Sequence, residues 1–365
     1  MTSKRFLGLD GLRGVCALTV LFYHCSNFFH KGPIFLHGFL AVDMFFILSG
    51  FVIALTYEER LRNGAGKRDF LFSRARRLFP TYWLGAAFNI VVFVGIALSG
   101  YIAFQDTWWM IWVFIPLTTL LVIPDYITPD GMLYPAMDSV AWSLFLEWIA
   151  YGVYASGVFR WRTSYLVLAA FGGWALMASF GIWSGLGWSG GGDRATLLTI
   201  GTLRCLPAFA AGIVIYRLHN HPIFRRLPEI STEVLLALWL CIAAVPRATA
   251  TPVVDAAIVM VLSPLLVCLL IRSDCKAPSW CKQLGGISYP LYVVHPAFIV
   301  LATYTPMFGL LHGPRPLNGF LVVGLCIALA WLVMEIVARI SRSRTVRTHD
   351  LAGVGSGTTS LLPLN

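Results

Sequence analysis

LDGLRGVCALTVLFYHCSNFF, residues 9–29, is long and apolar enough to cross a bilayer as a helix, yet it carries Arg13 and His24. About 20 apolar residues cover the roughly 30 Å of hydrocarbon in a membrane. A charge left in that hydrocarbon costs about 3 kcal/mol on an insertion scale, so both residues should face protein or a wet cavity. Apolar stretches of similar length recur near residues 36–56, 80–104, 107–124, 139–159, 164–184, 198–217, 232–250, 253–271, 284–304 and 318–340. Only 12% of the residues are charged and 58% are hydrophobic, against about 25% charged in soluble domains. The pattern predicts an all-α, polytopic transmembrane helix bundle. Asp10 and Arg13 interrupt the first apolar region and no small-residue cleavage site follows, so this stretch is expected to be a retained span rather than a signal peptide.

The formal net charge of +10 is concentrated at span ends, which points to membrane orientation and not to nucleic acid. EERLRNGAGKRDFLFSRARR (58–77), RWR (160–162), RLHNHPIFRR (217–226), RSDCKAPSWCK (272–282) and RISRSRTVR (339–347) are the basic segments. They all fall on the cytoplasmic side only if residues 107–124 do not span. Pro116, Pro124 and the paired Trp108 and Trp109 suit a re-entrant or interfacial piece there. About 10 spans with both termini cytoplasmic follow. Residues 1–344 form the expected transmembrane domain and 345–365, rich in Gly, Ser and Thr, a short disordered tail. Of eight cysteines, Cys275 and Cys281 have neither zinc nor redox spacing, so no metal site and no disulfide framework is expected.

At 1.5 Å per residue from the cytoplasmic ends, His24, Asp43, Glu147, Arg204 and His295 come out at about 16–22 Å. Five ionisable groups on five spans would share one level. Two readings stand side by side: an ion-pair cluster that holds the bundle together, or a site. The convergence of five favours the site. Arg13 lies eleven residues before His24, about three turns, so the two share a face about 16 Å apart. Glu335 and Arg339 read as a structural ion pair. His295, in YVVHP, either lines the cavity or serves a proline-kinked helix.

The R-x10-H spacing of the first span, GFLAVDMFFILSGF (38–51), SRARRLFPTYW (73–83), AWSLFLEW (141–148) and LGGISYPLYVVH (284–295) together resemble the acyltransferase-3 family of membrane acyltransferases, in the family's order from end to end. The resemblance implies about ten spans, cytoplasmic acyl-CoA as co-substrate, acetyl-CoA foremost, and transfer to a hydroxyl of a polysaccharide or glycolipid at a bacterial inner membrane. It implies catalytic importance for Arg13 and His24, and donor handling by Arg74 and Arg77. Trp148 stands where the family often has a second glutamate, which weakens any two-carboxylate role around Glu147. No fused extracytoplasmic esterase-like domain is expected, so acceptor choice would fall to the spans, the loops, a homo-oligomer or a separate protein.

The chemistry stands without the family. Acyl transfer from a thioester to a hydroxyl needs a base, or a nucleophile to carry the acyl group, and imidazole serves either role. A carboxylate, Asp43 or Glu147, would fix the tautomer of His24. Arg204, Trp142 and Ser143 are candidate donors to the developing oxyanion. Arg74 and Arg77, with Arg13, suit the donor's phosphates because a planar guanidinium binds two oxygens, although topology alone also explains such a run. A transporter or flippase of an anionic glycolipid is the rival class, and it would be expected to show inverted repeats.

Overall fold

The computed structural model describes residues 5–28, 34–99, 141–188, 194–246, 251–304 and 316–354. Every regular element among the described residues is helical, as the apolar periodicity predicts. Helix α1 (Leu7–His24) ends in a 3-10 turn, and a second such turn, Gly38–Leu40, leads into α2 (Ala41–Arg62). Then come α3 (Lys67–Leu98), α4 (Ala141–Ser156), α5 (Thr163–Ser184) and α6 (Arg194–Leu218). The one-turn α7 (Pro222–Arg225) precedes α8 (Thr232–Ala243). Helix α9 (Thr251–Ala257) passes through a π turn, Ile258–Leu262, into α10 (Ser263–Arg272), and α11 (Trp280–Tyr304) and α12 (Pro316–Val354) complete the chain.

Seven helical stretches among the described residues are long and apolar enough to cross a membrane: Gly38–Arg62, Lys67–Ile96, Thr163–Ser184, Leu198–Leu218, Pro252–Arg272, Trp280–Ala302 and Asn318–Arg339. Helix α1 is not among them because Asp10, Arg13 and His24 dilute it, and α4 and α8 are short. The segment 107–124, read above as re-entrant, lies outside the described residues. Two boundaries differ most from the hydropathy reading. Helix α3 begins at Lys67, not near Pro80, because the charged turns before the proline are helical although they are not apolar. Helix α12 runs to Val354, into the stretch read as a disordered tail; no proline interrupts RISRSRTVRTHDLAGV, and arginine is a good helix former. Residues 355–365 lie outside the described residues.

The bundle is built on close backbone approaches. Helices meeting in lipid gain little from hydrophobic burial and rely on tight contact at small residues. Helix α1 packs along α11, where a Cβ on Gly14 would stand 2.3 Å from Cγ of Leu284 and one on Gly285 2.9 Å from the Asp10 carbonyl. Helix α2 packs along α6, where Cβ atoms on Gly50 and Gly212 would each stand 2.0 Å from a facing carbonyl oxygen, of Phe209 and Ile47. Helix α2 is thereby central. Helices α5 and α12 are peripheral and turn large apolar side chains outward, among them Leu168, Phe171, Leu176, Trp183, Phe320, Trp331 and Leu332.

One end of the bundle collects the basic segments. Glu58, at the end of α2, accepts from Arg217 at 2.9 Å and pairs with Arg62 at 3.3 Å, while Arg217 also donates to the carbonyls of Phe159 and Trp161. Lys67 donates to the Ser156 carbonyl, and the Gly8 amide to Asp274. Lys276 and Arg272 clamp Glu229 at 3.0 and 2.6 Å; the lysine's hydrogen bond, then the charge of Arg272, hold this exposed carboxyl below its usual range. Met334 of α12 lies against Gly286 near the start of α11, which sets the last basic segment at the same end. Because Lys67 and Ser156 meet there, α3 ends and α4 begins at the opposite end.

Candidate active site

At the end of α1, Nδ1 of His24 lies 3.0 Å from Nε2 of His295 on α11, with ring centroids 5.1 Å apart. The Gly14 and Gly285 contacts hold these helices close enough for two imidazoles to meet. His295 is 1% exposed, and its Nδ1 lies 3.1 Å from the Leu291 carbonyl oxygen. His24 is half-buried. Pro290 and Pro296 flank this turn of α11, and Pro296 has no N–H to close on the Tyr292 carbonyl one turn earlier, so the helix is locally open around His295. Tyr292 adds a link to α4: its hydroxyl is 2.7 Å from Oγ of the buried Ser143, and its ring is 6.0 Å from that of His295.

Neither carboxylate proposed for His24 from the sequence is its partner among the described residues. Asp43 is fully buried and paired with Arg204: Nη2 donates to Oδ2 at 2.6 Å, and Nε is 3.2 Å from both oxygens. Nη2 also donates to the Phe39 carbonyl at 3.0 Å, and the guanidinium lies over the rings of Phe39 and Trp142 at 5.8 and 5.5 Å. Trp188 contributes an indole N–H to Asp43 at 3.4 Å. This ion pair ties α2 to α6 and draws Trp142 into its shell.

Glu147 belongs to a different group. Its Oε1 accepts from Ser49 at 2.6 Å and from Tyr151 at 2.5 Å. Trp148, in the position of the second glutamate, packs against Phe79 with centroids 5.4 Å apart. Arg74 and Arg77 stand beside this group, and Arg13 near Arg77. Arg74 is 5% exposed, lies over the rings of Tyr57 and Tyr151 at 5.5 and 5.9 Å, and its buried Nε has no hydrogen-bond partner among the described residues. Arg77, open to the surface, is near enough to Arg13, Arg74 and Glu147 to feel their charges. Arg13 makes a loose contact with Asp10, at 3.8 Å.

The single level expected from sequence is thus two levels. Measured from the observed helix ends, His24 is about 25 Å in and His295 about 22 Å, whereas Glu147 is about 14 Å and Arg13 about 9 Å. Glu147 drops because α4 ends at Ser156, short of the assumed boundary. His295 meets His24 directly, and Tyr292, Ser49 and Tyr151 join these clusters although the sequence does not single them out. A signal existed for His295 and Tyr292, in the polar residues crowded between two prolines of one span. No three His, Cys, Asp or Glu side chains converge as metal ligands among the described residues.

Span-length helices, an imidazole pair at depth and a cluster of arginines toward a basic end define a polytopic membrane protein with polar groups gathered in its interior. Residues 6–335 match the family described as an acyltransferase domain, and the chain belongs to that acyltransferase-3 family. It is an acyltransferase. It is 37% identical over 166 residues to Protein 2 in the picA locus of Rhizobium radiobacter, covering 43% of this chain and 83% of that protein. It is 25% identical over 345 residues to the exopolysaccharide production protein ExoZ of Rhizobium meliloti, covering 91% of this chain and 99% of that one. A Bacillus subtilis protein provisionally named peptidoglycan O-acetyltransferase YrhL is 35% identical over 118 residues, 28% of this chain and 18% of that one. No solved structure matches the chain.

Proposed function

We propose that this enzyme moves an acyl group, acetyl foremost, from cytoplasmic acyl-CoA to a hydroxyl of a carbohydrate or glycolipid acceptor at a bacterial inner membrane. The observation that carries this reading is the division of the polar groups beside α1 into a cationic lower set and an imidazole upper set. Among the described residues Arg74, Arg77 and Arg13 outnumber the nearby carboxylates, Glu147 and an Asp10 already paired with Arg5, so the lower set holds surplus positive charge in a partly desolvated place. A phosphate anion relieves that surplus, and the unpartnered Nε of the buried Arg74 is a ready donor to it. The CoA phosphates bind here in this reading, and the pantetheine arm carries the thioester up α1 toward His24, about 16 Å away.

There, His24 takes the proton of the acceptor hydroxyl as its oxygen adds to the thioester carbonyl. The tetrahedral intermediate collapses with cleavage of the carbon–sulfur bond, and the imidazolium returns the proton to the CoA thiolate, leaving an ester and free CoA. The linked hydroxyls of Ser143 and Tyr292 are the candidate donors to the oxyanion. Asp43, Arg204 and Trp142 act at one remove by fixing α2 against α6. The basic end is the cytoplasmic one in this reading, with about ten spans and both termini there. The likeness to an exopolysaccharide production protein supports a carbohydrate acceptor. The test is protein in vesicles supplied with labelled acetyl-CoA and an exopolysaccharide fraction from its host. Ester-linked label in the polysaccharide is the expected result; acceptor movement between leaflets without CoA release would favour the flippase instead.

A further inference from the structure

We infer that His295 is a positioning residue that fixes the tautomer of His24, so that the reacting nitrogen is Nε2 of His24. This rests on the reading of His24 as the reacting imidazole.

The inference follows from counting hydrogens along one chain of contacts. A carbonyl oxygen only accepts, so the 3.1 Å approach of His295 Nδ1 to the Leu291 oxygen requires the proton on Nδ1. A neutral imidazole then has a bare lone pair on Nε2, which is the atom 3.0 Å from His24 Nδ1. His24 must therefore carry its own proton on Nδ1 and donate it. Its Nε2 is left bare, with no hydrogen-bond partner among the described residues, on a side chain that is half-buried rather than sealed. The alternative, a doubly protonated His295, would hold a cation at 1% exposure with no carboxylate in contact among the described residues, which burial strongly opposes.

The arrangement parallels a hydrolytic triad in its logic, with the acceptor being a second imidazole backed by a main-chain carbonyl instead of a carboxylate. A neutral acceptor orients the ring without placing a permanent negative charge at membrane depth. The His295 ring turns back along α11 to the Leu291 carbonyl while its far nitrogen faces α1.

The direct test is nitrogen NMR of the full-length protein in vesicles with 15N-labelled histidine, the His24 signals being assigned by their loss in His24→Ala. Protonated Nδ1 and bare Nε2 on His24 are expected; a proton on Nε2 would overturn the inference. In parallel, His295→Gln retains an amide oxygen to accept from Nδ1, while His295→Leu does not. With labelled acetyl-CoA and the exopolysaccharide fraction, the leucine variant should lose about 100-fold in kcat with little change in KM for acetyl-CoA, and glutamine should restore most of it. Equal impairment of the two, or full activity in the leucine variant, would refute the positioning role. Should His295→Leu fail to fold, the wild-type tautomer and the glutamine variant still decide. Normal turnover by His24→Ala would instead sink the reading of His24 as the reacting group, and leave the tautomer measurement standing on its own.

Discussion

Arg204 and Arg74 are both buried arginines, at 3% and 5% exposure, and their surroundings are opposites. Arg204 has Asp43 at 2.6 Å, a carbonyl at 3.0 Å and two aromatic faces. Arg74 has two aromatic faces and, among the described residues, no anion of its own and an unpartnered Nε. Desolvating a guanidinium is costly, and a protein that satisfies one so fully while leaving the other open separates two uses of the same side chain. The paired charge builds the α2–α6 contact. The open one is, in the proposed reading, the donor to an anion that arrives from outside the chain.

The largest effect should come from breaking the closed pair. Arg204→Met leaves Asp43 buried without its partner and should cost about 3–5 kcal/mol of stability, read as loss of folded protein in mild detergent. The double change Asp43→Leu with Arg204→Met should restore the fold and most of the activity, because a buried ion pair is replaceable by apolar side chains of similar volume. A double variant that folds well but is inactive would move this pair from the scaffold into the chemistry and erase the contrast.

Arg74→Gln should behave in the reverse sense. Removing an uncompensated buried charge should leave thermal stability unchanged or raised, while KM for acetyl-CoA rises about 10-fold or more and that for the acceptor stays nearly constant. Unfolding of this variant, or normal CoA binding, would return Arg74 to the role of a topology signal. Arg77→Gln should give the same donor-specific shift at smaller size, since Arg77 is open to the surface. The smallest difference should be Arg13→Lys, which keeps the charge but not the planar fork; it should recover only part of the kcat and donor affinity that Arg13→Ala loses.

Much of the bundle was legible because hydropathy over about 20 residues reports spans directly, as the matches of residues 164–184 to α5 and 284–304 to α11 illustrate. The polar ends of helices were not, since the charged first turns of α3 look like a loop to a hydropathy scan. Arg74 and Arg77 stand out in the sequence through the family resemblance, but their place inside a helix beside Glu147 depends on where α3 begins. The identity of residues meeting across helices was harder still. His24 and His295 lie far apart in sequence, and their meeting depends on the rotation of α1 against α11, set by Gly14 and Gly285 at contact distances no sequence scan measures. The carboxylate partner inferred for His24 failed for the same reason: Asp43 does lie in the next helix, yet its face of α2 is turned to α6.

The most direct test of acyl transfer at His24 is the initial rate of ester formation by wild type and His24→Ala in vesicles, with labelled acetyl-CoA and the exopolysaccharide fraction at matched protein levels. Both proteins should insert and bind CoA alike, and the variant's rate should fall by about 1000-fold or more, within the range of a lost general base. Ester formation by His24→Ala within a few-fold of wild type would contradict the account.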